Sequence, residues 1–175
     1  MILRHSYTRS RATAHAALRY YHLRPRGDGE PPRQFFGPAG TLTRGEACRL
    51  LDQHQPAAGR YLAHRLMLSP SDTECPDDLR AMTYQAMRGL AHAHDQHLAW
   101  VAVEHCNTDQ PHVHILLAGG DLAGGRGEVR LGPVDHARLK AEAADYCRLE
   151  ARLRRDWDRA LAHAASAEER TAAER

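Results

Sequence analysis

The sequence predicts an α+β fold in which helices flank an antiparallel β-sheet. Some segments repeat apolar residues at helical spacing, whereas others are short β-branched and aromatic runs that are typical of strands. Turn-forming residues separate the two most apolar runs and suit a hairpin connection between them. The 175 residues are enough for one domain with a hydrophobic core.

The first half of the chain predicts a mixture of helices and strands. It contains an opening strand, a helix with Ser10 as its N-cap, and a loop rich in Pro and Gly. A second helix, a strand that ends before Pro70, and an amphipathic helix with Pro76 in its first position follow. In that order, the predicted ranges are 1–6, 10–22, 24–40, 43–54, 62–68 and 76–93.

The second half predicts the rest of the sheet and a long closing helix. Strands are predicted at 98–105 and 112–118, with a further short strand at 128–131. A helix follows from Pro133 to about residue 164, with apolar residues along one side. The predicted domain therefore spans residues 1–164, and residues 165–175 form a polar C-terminal tail.

Composition is that of a globular protein, with 42% hydrophobic and 26% charged residues. No apolar run approaches the roughly 18 residues needed to span a bilayer, and the N-terminus lacks the apolar core of a secretory signal. The four cysteines are scattered, which favours reduced thiols over a disulfide framework. We therefore expect a cytoplasmic protein with no membrane partner.

Basic residues are concentrated near the N-terminus. Residues 1–27 contain six arginines and no acidic residue, a distribution that suits contacts with phosphates. A solvated charged face is the alternative interpretation. The candidate nucleic-acid contacts are Arg4, Arg9, Arg11, Arg24 and Arg26.

The segment from His105 to His114 carries the clearest candidate site. Side chains two positions apart in a strand share a face, so His112 and His114 project together while Val113 points to the other side. A hairpin returns His105 beside them, so three imidazoles can converge on one metal ion and leave positions for a phosphate oxygen and water. Two alternatives remain: histidines that merely face solvent, and a structural zinc site that uses Cys106.

The same segment resembles a known motif. Residues 100–114, WVAVEHCNTDQPHVH, resemble the third motif of conjugative and mobilisation relaxases, HUH endonucleases of the class that includes the T-DNA border nickases. That motif has a histidine, an acidic or Asn residue two positions later, and then Pro-His-x-His. The matching residues are His105, Asn107, Asp109, Pro111, His112 and His114. Segments 14–21 and 66–70 resemble the first motif and the middle strand, so the resemblance covers roughly residues 10–120.

The resemblance implies a fold and a reaction. The fold would be the ferredoxin-like HUH relaxase architecture, with Mg²⁺ or Mn²⁺ held by the three histidines. The substrate would be single-stranded DNA beside a hairpin at a transfer origin, and accessory mobilisation proteins could take part. A tyrosine would attack a phosphodiester, forming a covalent 5′-phosphotyrosine and a 3′-OH, and the reversal would rejoin the strand. The biological role would be mobilisation of a plasmid or an integrative element.

The candidate catalytic residue is Tyr20, because its Leu-Arg-Tyr context aligns best with the first motif of the family. The small residues Ala12, Ala16 and Ala17 would let its helix lie close to the sheet. Tyr21 is the neighbouring alternative.

Tyr146 is a third candidate, and it would instead indicate a replication initiator or a single-strand transposase of the same superfamily. A DNA-binding relative without catalysis and a metal-dependent hydrolase without a covalent intermediate are further alternatives.

Overall fold

A six-stranded antiparallel sheet lies at the centre of the fold. The computed structural model of the chain describes residues 1–23, 33–56, 61–71, 75–106, 110–123 and 127–173, with side chains up to residue 165. The strands are β1 Ile2–Thr8, β2 Phe35–Gly37, β3 Gly40–Leu42, β4 Ala63–Ser69, β5 Leu98–His105 and β6 His112–Asp121. Their order across the sheet is β1-β4-β6-β5-β2-β3, and every neighbouring pair is antiparallel. The predicted α+β class with an antiparallel sheet is therefore confirmed.

Four helices of the described residues cover the two faces of this sheet. They are α1 Arg11–Leu23, α2 Arg44–Gln53, α3 Leu79–His94 and α4 Pro133–Ala173. Apolar residues of α1 and α2 pack against one face, which we call the α1 face, and those of α3 and α4 pack against the other, the α4 face. On β6, Val113 faces α4 whereas Leu116 faces α1, as the alternation of side chains along a strand requires. The sheet therefore separates two hydrophobic cores.

Local sequence signals explain how α1, α2 and α3 begin. Ser10 accepts a hydrogen bond from the backbone N–H of Thr13, as predicted for an N-cap. Thr43 and Glu46 form a capping box at the start of α2. The prediction that α3 begins at Pro76 is wrong: the helix begins at Leu79, because the side chain of Asp78 caps it.

Three other expectations are corrected. The described part of the predicted 24–40 loop contains β2 and the first residue of β3, which together form a short hairpin. Residues 128–131 form no strand and contact β6 through a hydrogen bond from the Val129 N–H to the Gly119 carbonyl. Helix α4 continues through the expected boundary at residue 164 to Ala173. Its residues Leu149, Leu153, Trp157 and Leu161 are exposed beyond the core.

Among the described residues, no helix combines the length and the apolar character needed to cross a membrane.

Candidate metal centre

The hairpin of β5 and β6 brings three histidines together on the α1 face. His105 is the last residue of β5 and lies directly opposite His112, the first residue of β6. His114 follows two positions later on the same face, and the intervening Val113 is buried on the α4 face. The predicted convergence of His105, His112 and His114 is present in the structure.

The centroids of the three rings form a nearly equilateral triangle. They are 4.9 Å apart for His105 and His112, 4.8 Å for His105 and His114, and 4.9 Å for His112 and His114. One ligand nitrogen from each ring lies within 4.8 Å of the others. A point equidistant from three atoms at that spacing is about 2.8 Å from each, so shifts of under ~1 Å reach the 2.0–2.1 Å typical of metal–imidazole bonds. The cluster could therefore hold a metal ion.

The hydrogen bond of His112 leaves one of its ring nitrogens available as a potential metal ligand. Its Nδ1 lies 2.9 Å from the carbonyl oxygen of Gln110. A carbonyl only accepts hydrogen bonds, so Nδ1 carries the proton and the Nε2 lone pair of the neutral ring is available to a cation. His105 is fully buried and its Nε2 is shielded from water, which would strengthen the interaction of this donor with a cation.

The metal-capable group that the described residues form contains these three histidines and no cysteine. Cys106 follows the end of β5 and is exposed. The structural zinc alternative therefore has no support from the geometry. Asn107 and Asp109 lie outside the described residues.

Tyr21, at the end of α1, lies against the cluster. Its ring stacks on that of His114, with the centroids 4.1 Å apart and the planes 9° from parallel, and it contacts His105 edge to face at 6.2 Å. The Nη2 of Arg65 on β4 donates a hydrogen bond of 3.3 Å to the Tyr21 hydroxyl oxygen. The structure therefore joins a phenol, a guanidinium and three potential metal ligands in one site.

The structure does not bring Tyr20 to this site in the same way. Tyr20 is 57% exposed, and the aromatic contact of its ring is with Tyr21, at 5.9 Å. Tyr21 is only 5% exposed. The two side chains point in different directions because successive residues of a helix are about 100° apart.

Tyr146 lies on the other side of the sheet. It belongs to α4 and packs against the core of the α4 face, whereas the histidines lie on the α1 face. Burial, together with the nearby carboxylates of Glu150 and Asp78, raises the pKa of Tyr146. A raised pKa disfavours the phenolate that a nucleophile needs.

The sequence contains a signal that identifies the inward tyrosine. Ala14, Ala17, Leu18 and Tyr21 are buried and follow the i, i+3, i+4, i+7 spacing of one helical face. The expected contact residues Ala12 and Ala16 are exposed instead. Arg65 was not among the predicted site residues. The available signal was its position next to Leu66 in the predicted strand: because Leu66 faces the core on the α4 face, Arg65 must face the other side.

The predicted DNA-binding arginines lie in different places. Arg4 pairs across β1 and β4 with Met67, and Met67 pairs with His114, so Arg4 is in the same cross-strand row as the site. Arg11 forms an ion pair of 2.6 Å with Asp52 on α2. Arg9 lies 5.5 Å from the ring of Tyr7, which belongs to the α4 face. Arg24 and Arg26 lie outside the described residues.

Comparison of the chain with protein-family models and with curated protein sequences finds no match.

Proposed function

We propose that the chain is a metal-dependent, relaxase-type HUH endonuclease that cuts single-stranded DNA and becomes joined to it through Tyr21. The observation that carries the proposal is the stacking of the Tyr21 ring on His114, inside a cluster of three potential metal ligands. A nucleophile and a cation site must both reach one phosphate, and this contact supports the proposal because it brings the phenol ring beside the histidines. The relaxase-like arrangement of His105, His112 and His114 supports the same reaction class.

Each residue of the site has a distinct role in the proposed reaction. The three histidines hold a divalent cation, which would neutralise charge on the scissile phosphate when bound. Three imidazoles suit Mn²⁺ better than Mg²⁺, because Mg²⁺ prefers oxygen ligands. Arg65 donates a hydrogen bond to the phenol oxygen and stabilises negative charge that develops there. Arg4, in the same row, contacts the flanking phosphates.

The proposed step is a transesterification. The phenol oxygen of Tyr21 forms a bond to phosphorus, and the bond from phosphorus to the 3′ oxygen breaks. The phenol loses a proton and the 3′ oxygen gains one, which gives a 5′-phosphotyrosine and a 3′-OH. Because Tyr21 is almost fully buried, DNA binding must part the end of α1 from the sheet far enough for a phosphate to reach the phenol.

The wider role follows from the reaction. Reversal of the step rejoins the strand, so the same site supports transfer of a nicked strand for plasmid or integrative-element mobilisation. The substrate would then be single-stranded DNA beside a hairpin at a transfer origin. Accessory mobilisation proteins would act as partners, in the cytoplasm.

The test is capture of the covalent product. The full chain is incubated with Mn²⁺ and a labelled, single-stranded oligonucleotide library of random sequence, and adducts are isolated on a denaturing gel. We expect a protein–DNA band whose tryptic peptide Tyr20–Arg26 carries phosphotyrosine, since trypsin does not cleave before Pro25, and fragmentation of that peptide should assign the modification to Tyr21. Tyr21→Phe removes one oxygen and should abolish the band.

Two matched variants separate the alternatives. Tyr20→Phe and Tyr146→Phe should both keep the band. If the band survives Tyr21→Phe and is lost with Tyr20→Phe, the nucleophile is Tyr20, the residue that the resemblance to the relaxase motif favours. Loss with Tyr146→Phe alone would favour a replication initiator or a transposase. If the unmodified chain and its variants bind the oligonucleotide but none forms an adduct, the chain is a non-catalytic DNA-binding protein and the proposal is overturned.

A further inference from the structure

A cavity of about 350 Å³ opens on the α4 face, on the opposite side of the sheet from the three histidines. It lies between β1, the start of β4 and residues 128–131, and we call it the edge cavity because β1 is the end strand of the sheet. Its volume is within the range of about 300–1,000 Å³ that is usual for small-ligand pockets. The proposed reaction makes no use of this cavity.

The lining combines apolar, aromatic and cationic groups. Leu62, Val129 and Leu131 supply apolar surface. Tyr7 lies in the wall and is 58% exposed, and the guanidinium of Arg9 is 5.5 Å from its ring centroid. An exposed aromatic ring with a neighbouring arginine is the combination that binds unstacked bases in single strands.

Two histidines of the wall belong to a hydrogen-bonded chain of three. His64 Nε2 is 2.9 Å from the carbonyl oxygen of Val129, which only accepts, so this nitrogen donates. His64 Nδ1 then accepts from His5 Nε2 at 3.0 Å, and His5 Nδ1 accepts from His136 Nε2 at 2.8 Å. Every ring in this chain can be neutral with its tautomer fixed.

The neutral state is favoured at physiological pH. Burial and the neighbouring histidines lower the pKa of His5 to about 4, and burial also lowers the pKa of His64. The two histidines of the wall are therefore uncharged, while Arg9 provides positive charge among the lining residues and Arg130 is ion-paired at 3.2 Å with the lining residue Glu128. This division suits a neutral base inside and a phosphate outside.

The edge strand connects the cavity to the candidate metal centre. Side chains of β1 alternate between the two faces: Arg4 pairs into the row of His114, whereas His5 and Tyr7 pair with Leu66 and His64 on the α4 face. DNA that leaves the metal centre past Arg4 therefore reaches Tyr7 by crossing one edge strand. No other strand lies outside β1 in the described sheet.

We propose that the edge cavity binds one unstacked nucleotide of the single strand, with its base against Tyr7 and its phosphate at Arg9. This inference rests on the proposed function, because it extends the path of the same DNA strand around the edge of the sheet. The site would hold the strand by stacking and charge, without contact with the reacting phosphate.

The test measures binding without cleavage. A fluorescent thymidine homopolymer is titrated with the full chain in metal-free buffer at several salt concentrations, and affinity is read by fluorescence anisotropy. Tyr7→Ala should weaken binding by roughly 5- to 150-fold, the loss expected for one stacked base, and Tyr7→Phe should restore most of it. Arg9→Ala should lower the slope of log affinity against log salt by about one. Tyr7→Ala should leave that slope unchanged.

Matched controls come from the exposed end of α4. Trp157→Ala removes a similarly exposed aromatic ring, and Arg159→Ala removes an exposed guanidinium. Neither should change affinity by more than about twofold. A second measurement uses 5-iododeoxyuridine in the oligonucleotide, which should crosslink to Tyr7 on irradiation.

The outcomes separate this inference from the proposed function. Tight binding that Tyr7→Ala leaves unchanged, or weakens no more than Trp157→Ala does, overturns the inference even if the covalent adduct forms. Binding that depends on Tyr7 without any adduct supports the edge cavity and removes the nuclease proposal. A chain that does not bind the oligonucleotide overturns both.

Discussion

The ring of His114 lies between the sheet and Tyr21, and the positions of these two residues are fixed in different ways. His114 belongs to a strand that is fixed on both sides, by β4 and by β5. Its position is therefore set by backbone hydrogen bonds, which is the support that a metal ligand requires. Tyr21 belongs to a helix end, and its ring is held by stacking on His114 and by the hydrogen bond from Arg65 to its hydroxyl.

At the residue scale, we predict that metal binding depends on the histidines and not on the tyrosine. Titration calorimetry with Mn²⁺ should find one site in the full chain. Either His112→Ala or His114→Ala should weaken it by more than about 100-fold, since loss of a ligand exceeds the 10–100-fold cost of losing a residue that supports one. Tyr21→Phe should bind Mn²⁺ as the unmodified chain does.

The control for this titration is His92→Ala, which removes an exposed histidine of α3. If the double variant His112→Ala/His114→Ala binds Mn²⁺ with unchanged affinity, the metal site lies elsewhere in the chain.

The residues of the site differ in how far sequence alone could predict them. The histidines were predictable because strand alternation and one hairpin fix their relation within ten consecutive positions. The choice between Tyr20 and Tyr21 depends on the rotation of α1 about its axis, which the buried stripe of Ala14, Ala17 and Leu18 sets. The resemblance to the relaxase motif favours Tyr20, whereas the apolar stripe favours Tyr21.

At the element scale, capping decides where helices begin. The Thr43 hydroxyl oxygen accepts from the Glu46 backbone N–H at 3.3 Å, and the Thr43 backbone N–H donates to the Glu46 carboxylate at 2.7 Å. We predict that Thr43→Ala lowers the free energy of unfolding by about 1 kcal/mol, because it leaves a helix N–H without its acceptor. Thermal unfolding should shift down by roughly 2–4 °C.

Glu46→Gln is the matched variant, since glutamine also completes a capping box. It should lose clearly less stability than Thr43→Ala. Equal losses from the two variants would show that the hydroxyl contributes nothing to the start of α2.

Elements were predicted best where the apolar pattern repeats over many residues. Helices α1 and α3 and strand β5 lie within three residues of their expected ranges, whereas β2 and β3 have three residues each, too few for a period to be visible. β6 runs three residues further than expected, through Gly119 and Gly120. Both glycines are required by packing, because a Cβ there would lie 2.7 Å from Leu62 or from the backbone of Gln55.

At the scale of the whole molecule, the histidine chain ties together parts that are distant in sequence. His5, His64 and His136 belong to β1, β4 and α4. Glu128 and Asp135 face His64 and favour its charged form, but burial outweighs them and the pKa stays lowered. Protonation of His5 or His64 removes an acceptor from the chain, so acid should loosen all three elements together.

We predict an acid-sensitive stability with a defined sign. The pKa of His5 is about 4 when folded and 6.5 when unconstrained, so the unfolded chain binds more protons between these values. The contribution of His5 to stability is therefore complete above pH 6.5 and falls as the pH drops toward 4. Solvent screening of the half-exposed His5 limits the loss to about 1–2 kcal/mol.

Urea unfolding at a series of pH values checks this prediction. His5→Gln should show a shallower loss between pH 6.5 and 4 than the unmodified chain, and His92→Gln should match the unmodified chain. Identical pH dependence for His5→Gln would contradict the role given to His5.

The three potential metal ligands differ from Tyr21 in the order in which folding can assemble them. His105 and His114 are nine positions apart in one hairpin, whereas Tyr21 lies 84 positions before His105. Closing a short loop costs less chain entropy than closing a long one, and local contacts form sooner. We therefore expect the three imidazoles to meet while α1 is still undocked. In the proposed enzyme, a folding chain would form its candidate metal centre before α1 brings Tyr21 to it, so the order of assembly would delay the proposed nucleophile until the rest of the site is in place.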